Sequence, residues 1–199
     1  MSSSVQILAF AGSAREGSFN KQLVNIAAKG AESVGVPVTV IDLRDYSMPL
    51  FDQDLEARSG LPAVVLRFKA LMKSHQGLLL ACPEYNSSMT PLLKNTIDWA
   101  SRPEPDEAPL TCFKSKVSVL MSASPGGLGG MRGLVHVRSM LSNLGVLVLP
   151  EQKSISAASN AFDAQGNLKD ATQQSAITHL GERLATVISK LAELPADGV

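Results

Sequence analysis

Apolar side chains recur along this chain in short, nearly unbroken runs. Residues 5–11, 36–43, 77–82, 116–122 and 146–149 are rich in Val, Ile and Leu and mostly do not alternate with polar residues. Runs of this kind read as strands covered on both faces. Between and after them lie segments of helical length, at residues 19–34, 62–75, 91–102, 130–144 and 171–194. Several carry start and stop signals. Thr90 stands before Pro91 as a cap before a first-turn proline. Asp170 with Gln173 gives a variant capping box, and Gly145 after Leu144 suits a helix stop. Regular alternation of strand and helix predicts an α/β fold: an open, doubly wound, five-stranded parallel sheet. Two stretches read as irregular, 44–60 and 151–169. The first is long for a strand-to-helix connection, so it is expected to cover a site or a partner surface. The last three residues are expected to fray.

The chain's 199 residues favour a single domain spanning 1–199. A hydrophobic content of 45% is enough for a sizeable core. Lys plus Arg, 18, balance Asp plus Glu, 18, so no electrostatic grip on nucleic acid or an anionic membrane is expected. Cys82 and Cys112 form no CxxC, and Cys82 ends an apolar run, as a small buried hydrophobe would. His75, His136 and His179 lack ligand spacing, so no metal site is expected. The N-terminus lacks a basic signal-like region, and no apolar run approaches the ~20 residues of a membrane span. The expectation is a reduced, cytoplasmic protein.

Open α/β sheets bind ligands beyond the carboxyl ends of their strands. With strands ordered 2-1-3-4-5, the first, third and fourth are neighbours, and the loops after them converge. The first loop, "GSAREGSFN", spaces Gly12, Gly17 and Ser18 like half of a P-loop but lacks its lysine, so nucleoside triphosphate transfer is a poor reading. Ser13, Ser18 and Asn20, with backbone N–H groups of the following helix, can instead hold a phosphate monoester. Arg15 either adds a charge or points to solvent. The plain alternative is a helix cap. The second loop, "PEYNSSMT", offers Tyr85 as a flat apolar face and Asn86 as a hydrogen-bonding group. Glu84 reads as a general base or, preferably, as a structural acceptor for backbone N–H. Trp99, on the next helix, is expected in the core. The third loop, "SASPGGLGGMRG", fails the GxGxxG pattern because Arg132 stands at its last position. Its small residues let backbone approach a planar ligand closely. Arg132 and Arg138 fit surface ion pairs as well as ligand contacts. No GxSxG elbow or Cys-x5-Arg loop is present. A phosphate cradle with a stacking aromatic and no acid–base set fits a cofactor that brings its own chemistry.

At these residues the chain resembles the NADPH-dependent FMN reductase family. GSxRxxSxN is met at Gly12, Ser13, Arg15, Ser18 and Asn20; PEYN at Pro83 to Asn86; LKNxIDW at Leu93 to Trp99; GGxR at Gly129, Gly130 and Arg132. The segment 48–56, "MPLFDQDLE", is similar to the family's long second crossover. The resemblance runs from about residue 5 to 149 and is strongest to the chromate- and quinone-reducing branch. It implies a flavodoxin-like fold, bound FMN, and NADPH or NADH as co-substrate. Cofactor contacts would fall at Gly12, Ser13, Arg15, Gly17, Ser18, Phe19 and Asn20, at Pro83, Glu84, Tyr85 and Asn86, and at Ser122, Ser124, Gly126 and Gly127. It further implies ping-pong hydride transfer through flavin N5 to a small-molecule acceptor, such as a quinone, azo compound or chromate, with no catalytic side chain. Family members are usually dimers or tetramers, so a homodimer or homotetramer is expected, with 44–60 and 102–109 reaching a partner. After PEYN the sequence departs from the family pattern: Ser87 is small, and the proline stands at Pro91. The rival readings are a flavodoxin-type electron carrier, disfavoured by the balanced charge, and a non-enzymatic flavin-binding sensor.

Overall fold

The computed structural model describes residues 5–194. Five parallel strands form the sheet: β1 (Ile7–Ala11), β2 (Val38–Ile41), β3 (Gly77–Ala81), β6 (Val117–Ala123) and β7 (Leu147–Ile155), in the order β2-β1-β3-β6-β7. The remaining two strands, β4 (Glu84–Tyr85) and β5 (Ser88–Met89), form a separate antiparallel hairpin. Without the hairpin, the order is the expected 2-1-3-4-5 of a flavodoxin-like fold.

Both faces of the sheet are covered, which explains the unbroken apolar runs. Ile7, Ala9 and Ala11 of β1 join Leu79 and Ala81 under α1 (Phe19–Ser33) and α7 (Ala171–Ala192). Leu8, Phe10, Leu78 and Leu80 face the other way, toward α3 (Ala63–Ser74), α4 (Pro91–Ala100) and α5 (Met131–Asn143). Each such Leu, Ile or Phe contributes on the order of 2 kcal/mol on burial. The helix signals hold. Thr90 Oγ1 accepts from Leu93 N at 3.2 Å, and Asp170 accepts from Gln173 N at 2.9 Å. Gly145 adopts φ 89°, and the N–H groups of Gly145 and Val146 return to the carbonyls of Ser142 and Leu141. This Schellman turn closes α5, with Val146 and Leu141 buried together.

Three stretches differ from the sequence expectation. Residues 44–60 are not irregular: a 3-10 turn (Leu43–Tyr46) is followed by α2 (Gln53–Ser59), capped by Asp52. The segment is pinned to α4, where Asn95 Nδ2 and Trp99 Nε1 both donate to the Pro49 carbonyl. The stretch 151–169 begins as strand and then forms the short helix α6 (Ala158–Ala161). β7 is an edge strand, so Glu151, Gln152 and Lys153 can face solvent while the backbone still pairs with β6. A register shift between Ser118 and Leu120 leaves Pro150 in the irregular part, where its missing N–H costs nothing. The PEYN stretch forms the hairpin rather than an open loop. Residues 197–199 lie outside the described residues.

Candidate functional site

The carboxyl ends of β1, β3 and β6 open onto a cleft of about 390 Å³. A larger hollow of about 430 Å³ lies along the outer side of α1, between Lys29 and Gln165, and contains none of the three loops. The cleft is walled by Ser13, Arg15, Ser18, Phe19 and Asn20 from the first loop, by Pro83, Glu84 and Tyr85 from the second, and by Ser124 from the third. Nine of the residues anticipated from sequence therefore meet in one place.

The first loop gathers groups that could hold an anion at the start of α1. Ser18 is the N-cap of α1, is buried, and makes no side-chain cap bond. In the first turn of this 15-residue helix the N–H groups of Lys21 and Gln22 return to the Ser18 carbonyl, which leaves those of Phe19 and Asn20 to face the helix start. Arg15 has no carboxylate partner among the described residues; its guanidinium lies 5.0 Å over the Phe19 ring. Phe19 is in turn stacked on Phe162, 5.8 Å between centroids and 5° between planes. Gly12 lies beneath the loop rather than on the cleft wall. A Cβ there would sit 3.0 Å from Leu93 Cβ, so glycine lets α4 pack against the turn.

The second loop presents Tyr85 with 58% of its surface exposed, although the ring is large and mostly apolar. Asn86 and Ser87 form the hairpin turn with φ 49° and 67°, both left-handed, as a type I′ turn requires. A β-branched residue at 87 would resist that conformation; Ser87, where the sequence departs from the family pattern, adopts it. Glu84 is a structural acceptor, as its preferred reading has it. Its carboxylate accepts from Arg132 Nη2 at 2.7 Å and from the Gly133 N–H at 3.1 Å. Burial alone would raise its pKa, but these bonds and the Arg132 charge outweigh it and hold the group below the usual carboxylate range. Arg132 is thereby an ion-pair residue, and Arg138 is bound to the Val148 carbonyl and Gln152.

Hydrogen bonds between the loops fix their relative positions. Thr90 Oγ1 donates to the Gly12 carbonyl at 2.7 Å, joining the first loop to α4. Asn20 joins the first loop to Ala123, and Glu84 joins the second to α5. Arg44 donates twice to the Ala14 carbonyl, at 3.0 and 2.6 Å, from outside the cleft.

Some anticipated contacts are placed elsewhere. Ser122 is fully buried, and its hydroxyl bonds to the Gly129 carbonyl and to Ser154; it shapes the third loop from within. The Asn20 side chain is engaged by Ala123 backbone rather than free for a phosphate. Gly17, Asn86, Gly126 and Gly127 border the region without lining the cleft. The structure adds Ala123, Pro125 and Ser159 to the wall. Ser159 rides on α6, which bonds back to the third loop through Ala158 N to Ser124 O at 3.1 Å. Nothing in the local sequence marks that return. Cys82 lies beneath, its thiol pushed up to about 12 by burial, and Trp99 is in the core as expected.

Residues 5–160 match the family described as NADPH-dependent FMN reductase. The match extends past residue 149 into β7 and α6. An NAD(P)H-dependent FMN reductase of Pseudomonas aeruginosa is 40% identical over 174 residues, covering 85% of this chain and 88% of its own. A quinone reductase of Escherichia coli K12 is 33% identical, covering 94% and 99%. Among solved structures, the flavoenzyme FerB, an NAD(P)H:(acceptor) oxidoreductase from Paracoccus denitrificans, superposes with a TM-score of 0.75 at 26% identity, covering 94% of this chain and 98% of its own. The family match over residues 5–160, the relatives at 40% and 33% identity and the 2-1-3-4-5 sheet agree: this chain belongs to the NADPH-dependent FMN reductase family and is an oxidoreductase of flavodoxin-like fold.

Proposed function

We propose that the protein binds FMN in this cleft and passes electrons from NAD(P)H to a quinone by a ping-pong mechanism, with azo compounds and chromate as further acceptors. It would act as one flavin-binding domain, in the cytoplasm, as a homodimer or homotetramer. The carrying observation is that Ser13, Arg15 and Ser18 at the start of α1 and the exposed ring of Tyr85 line one cleft. The fit is chemical: Ser18 has an unused hydroxyl, Arg15 an unpaired charge, and Tyr85 an exposed ring.

Bound FMN would supply the redox chemistry, taking hydride at N5 and giving up the electrons in a second step. The protein's residues bind and orient. Ser13, Ser18, Arg15 and the first turn of α1 would hold the phosphate; Tyr85 would lie against the ring system. Glu84 is not set to move a proton, because its carboxylate is held ionised by Arg132 and Gly133. Positioning is then the main contribution of the chain. Leu50, 79% exposed on the segment before α2, suits contact with a second subunit. Among the described residues, no helix is long and apolar enough to cross a membrane.

The test is an anaerobic spectrum of protein loaded with FMN and desalted, followed by NADPH. Retained flavin absorbance that bleaches supports the reading, and parallel double-reciprocal plots with a benzoquinone support ping-pong transfer. Retained flavin that NADPH does not reduce would favour a carrier or sensor. No retained flavin and no NADPH oxidation with added FMN would defeat it.

A further inference from the structure

Asn20 is 4% exposed and sits at the second position of α1. Its side-chain amide forms two hydrogen bonds with a single residue 103 positions away. Ala123 N donates to Asn20 Oδ1 at 3.0 Å, and Asn20 Nδ2 donates to Ala123 O at 2.9 Å. This is the pairing that a neighbouring strand would offer.

The reason lies in the sheet. Backbone groups of successive strand residues point alternately to the two sides. Met121 O accepts from Cys82 N on the β3 side, and Ser124 N donates to Ile155 O on the β7 side. Ala123 therefore presents its N–H and C=O toward β3. But β3 ends at Ala81, and the chain leaves the sheet through Pro83 into the hairpin, so no backbone of the β3 segment pairs with Ala123. Both groups of Ala123 would be buried and unpaired. Leaving such groups unpaired is unfavourable, and an amide side chain offers a donor and an acceptor on adjacent atoms, spaced like those of a peptide.

The geometry points to Asn20 as a positioning residue: a peptide mimic that completes the sheet at the end of β6 and so locks the start of α1 to the third loop. One side of the lock carries Ser18 and the first-turn N–H groups. The other leads into Ser124 and Pro125 on the cleft wall. The amide thus sets the distance between the cradle and the third loop instead of holding a ligand. Its effect on flavin binding rests on the proposed function; its effect on Ala123 does not.

The test compares wild type with N20A and N20D. In the protein without flavin, hydrogen exchange at Ala123 N–H should rise about tenfold in N20A while the amides of β1 stay protected. Binding of FMN and of riboflavin, which lacks the phosphate, should weaken by the same factor, so that their ratio stays within about twofold of wild type. N20D keeps an acceptor for Ala123 N–H but sets a carboxylate oxygen against Ala123 O. Its riboflavin affinity should fall at least as far as that of N20A; N20S, whose hydroxyl can still satisfy one of the Ala123 groups, keeps the test open if N20A does not fold, and its exchange at Ala123 should lie between wild type and N20A. Unchanged exchange at Ala123 in N20A would overturn the inference. So would loss of FMN affinity with riboflavin affinity intact, the signature of a direct phosphate ligand. If wild type binds neither flavin, the proposed function fails, and the exchange measurement still decides the lock.

Discussion

Replacing Gly181 with alanine tests how closely the two helices on one face of the sheet approach. A Cβ at Gly181 would lie 1.8 Å from the Ala27 carbonyl oxygen and 2.9 Å from Ala31 N. Carbon–oxygen contacts of this kind rest at about 3.3 Å, so α1 and α7 would have to part locally by about 1.5 Å. The obstacle is backbone, which cannot rotate aside as a side chain can. Overpacking of this severity costs about 3 kcal/mol. Alanine returns about 1 kcal/mol over glycine as a helix former, which leaves a net loss of about 2 kcal/mol. For a chain of this size, that lowers Tm by roughly 4–8 °C. Thermal unfolding followed by circular dichroism reads it directly. Gly17→Ala is the control: its Cβ would meet only Arg15 Nη1, at 3.7 Å, and Tm should move by about 1 °C or less. The displaced α1 carries Ser18 and Asn20 at its start, so G181A should also weaken flavin binding. A G181A protein that melts at or above the wild-type temperature would refute the close packing.

Tyr85→Ala should weaken FMN binding by roughly threefold to tenfold, read by fluorescence titration; an unchanged Kd would remove the ring from ligand contact. Ser87→Gly should relieve a left-handed serine and raise stability by roughly 0.5–1 kcal/mol in denaturant unfolding; a loss would mean that the serine side chain has a further partner. Glu107 is expected to contribute to acid sensitivity. Burial alone would raise its pKa from 4.5, but hydrogen bonds from Lys69, the Glu104 N–H and Lys73 overturn that and bring it to about 2. A depressed folded-state value stabilises the protein above pH 4.5, and that contribution is lost as pH falls from 4.5 toward 2. Glu107→Gln should flatten this part of the pH profile. It also leaves Lys69, 1% exposed, without its close carboxylate, a loss of about 3 kcal/mol at pH 7 that Lys69→Met should partly restore. A steep acid transition retained in E107Q would assign it to another carboxylate.

The sequence by itself determined the sheet and its central strands. β1, β3 and β6 are buried on both faces, so burial requires continuous apolar runs, and such runs are visible without coordinates. Capping at Thr90 and Asp170 and the stop at Gly145 were equally legible, because each is a local backbone requirement met by one residue type. The motif residues of the cradle could be named for the same reason. Edge and surface elements were not legible. β7 continues beyond Leu149 through polar residues because an edge strand needs only backbone pairing. α2 is short and has no buried residue of its own, and the segment before it is held to α4 through Pro49 and Phe51. Tertiary structure alone decided which polar side chains face the cleft and which are used up inside the protein. Ser122 and Asn20 look like ligand residues in the linear chain. Asn20 instead satisfies the buried backbone of Ala123, 103 residues away, and Ser122 bonds within the third loop to the Gly129 carbonyl and across to Ser154 on β7. Ser159 reaches the cleft by the same long-range folding, since nothing near it in sequence specifies the surface against which α6 packs.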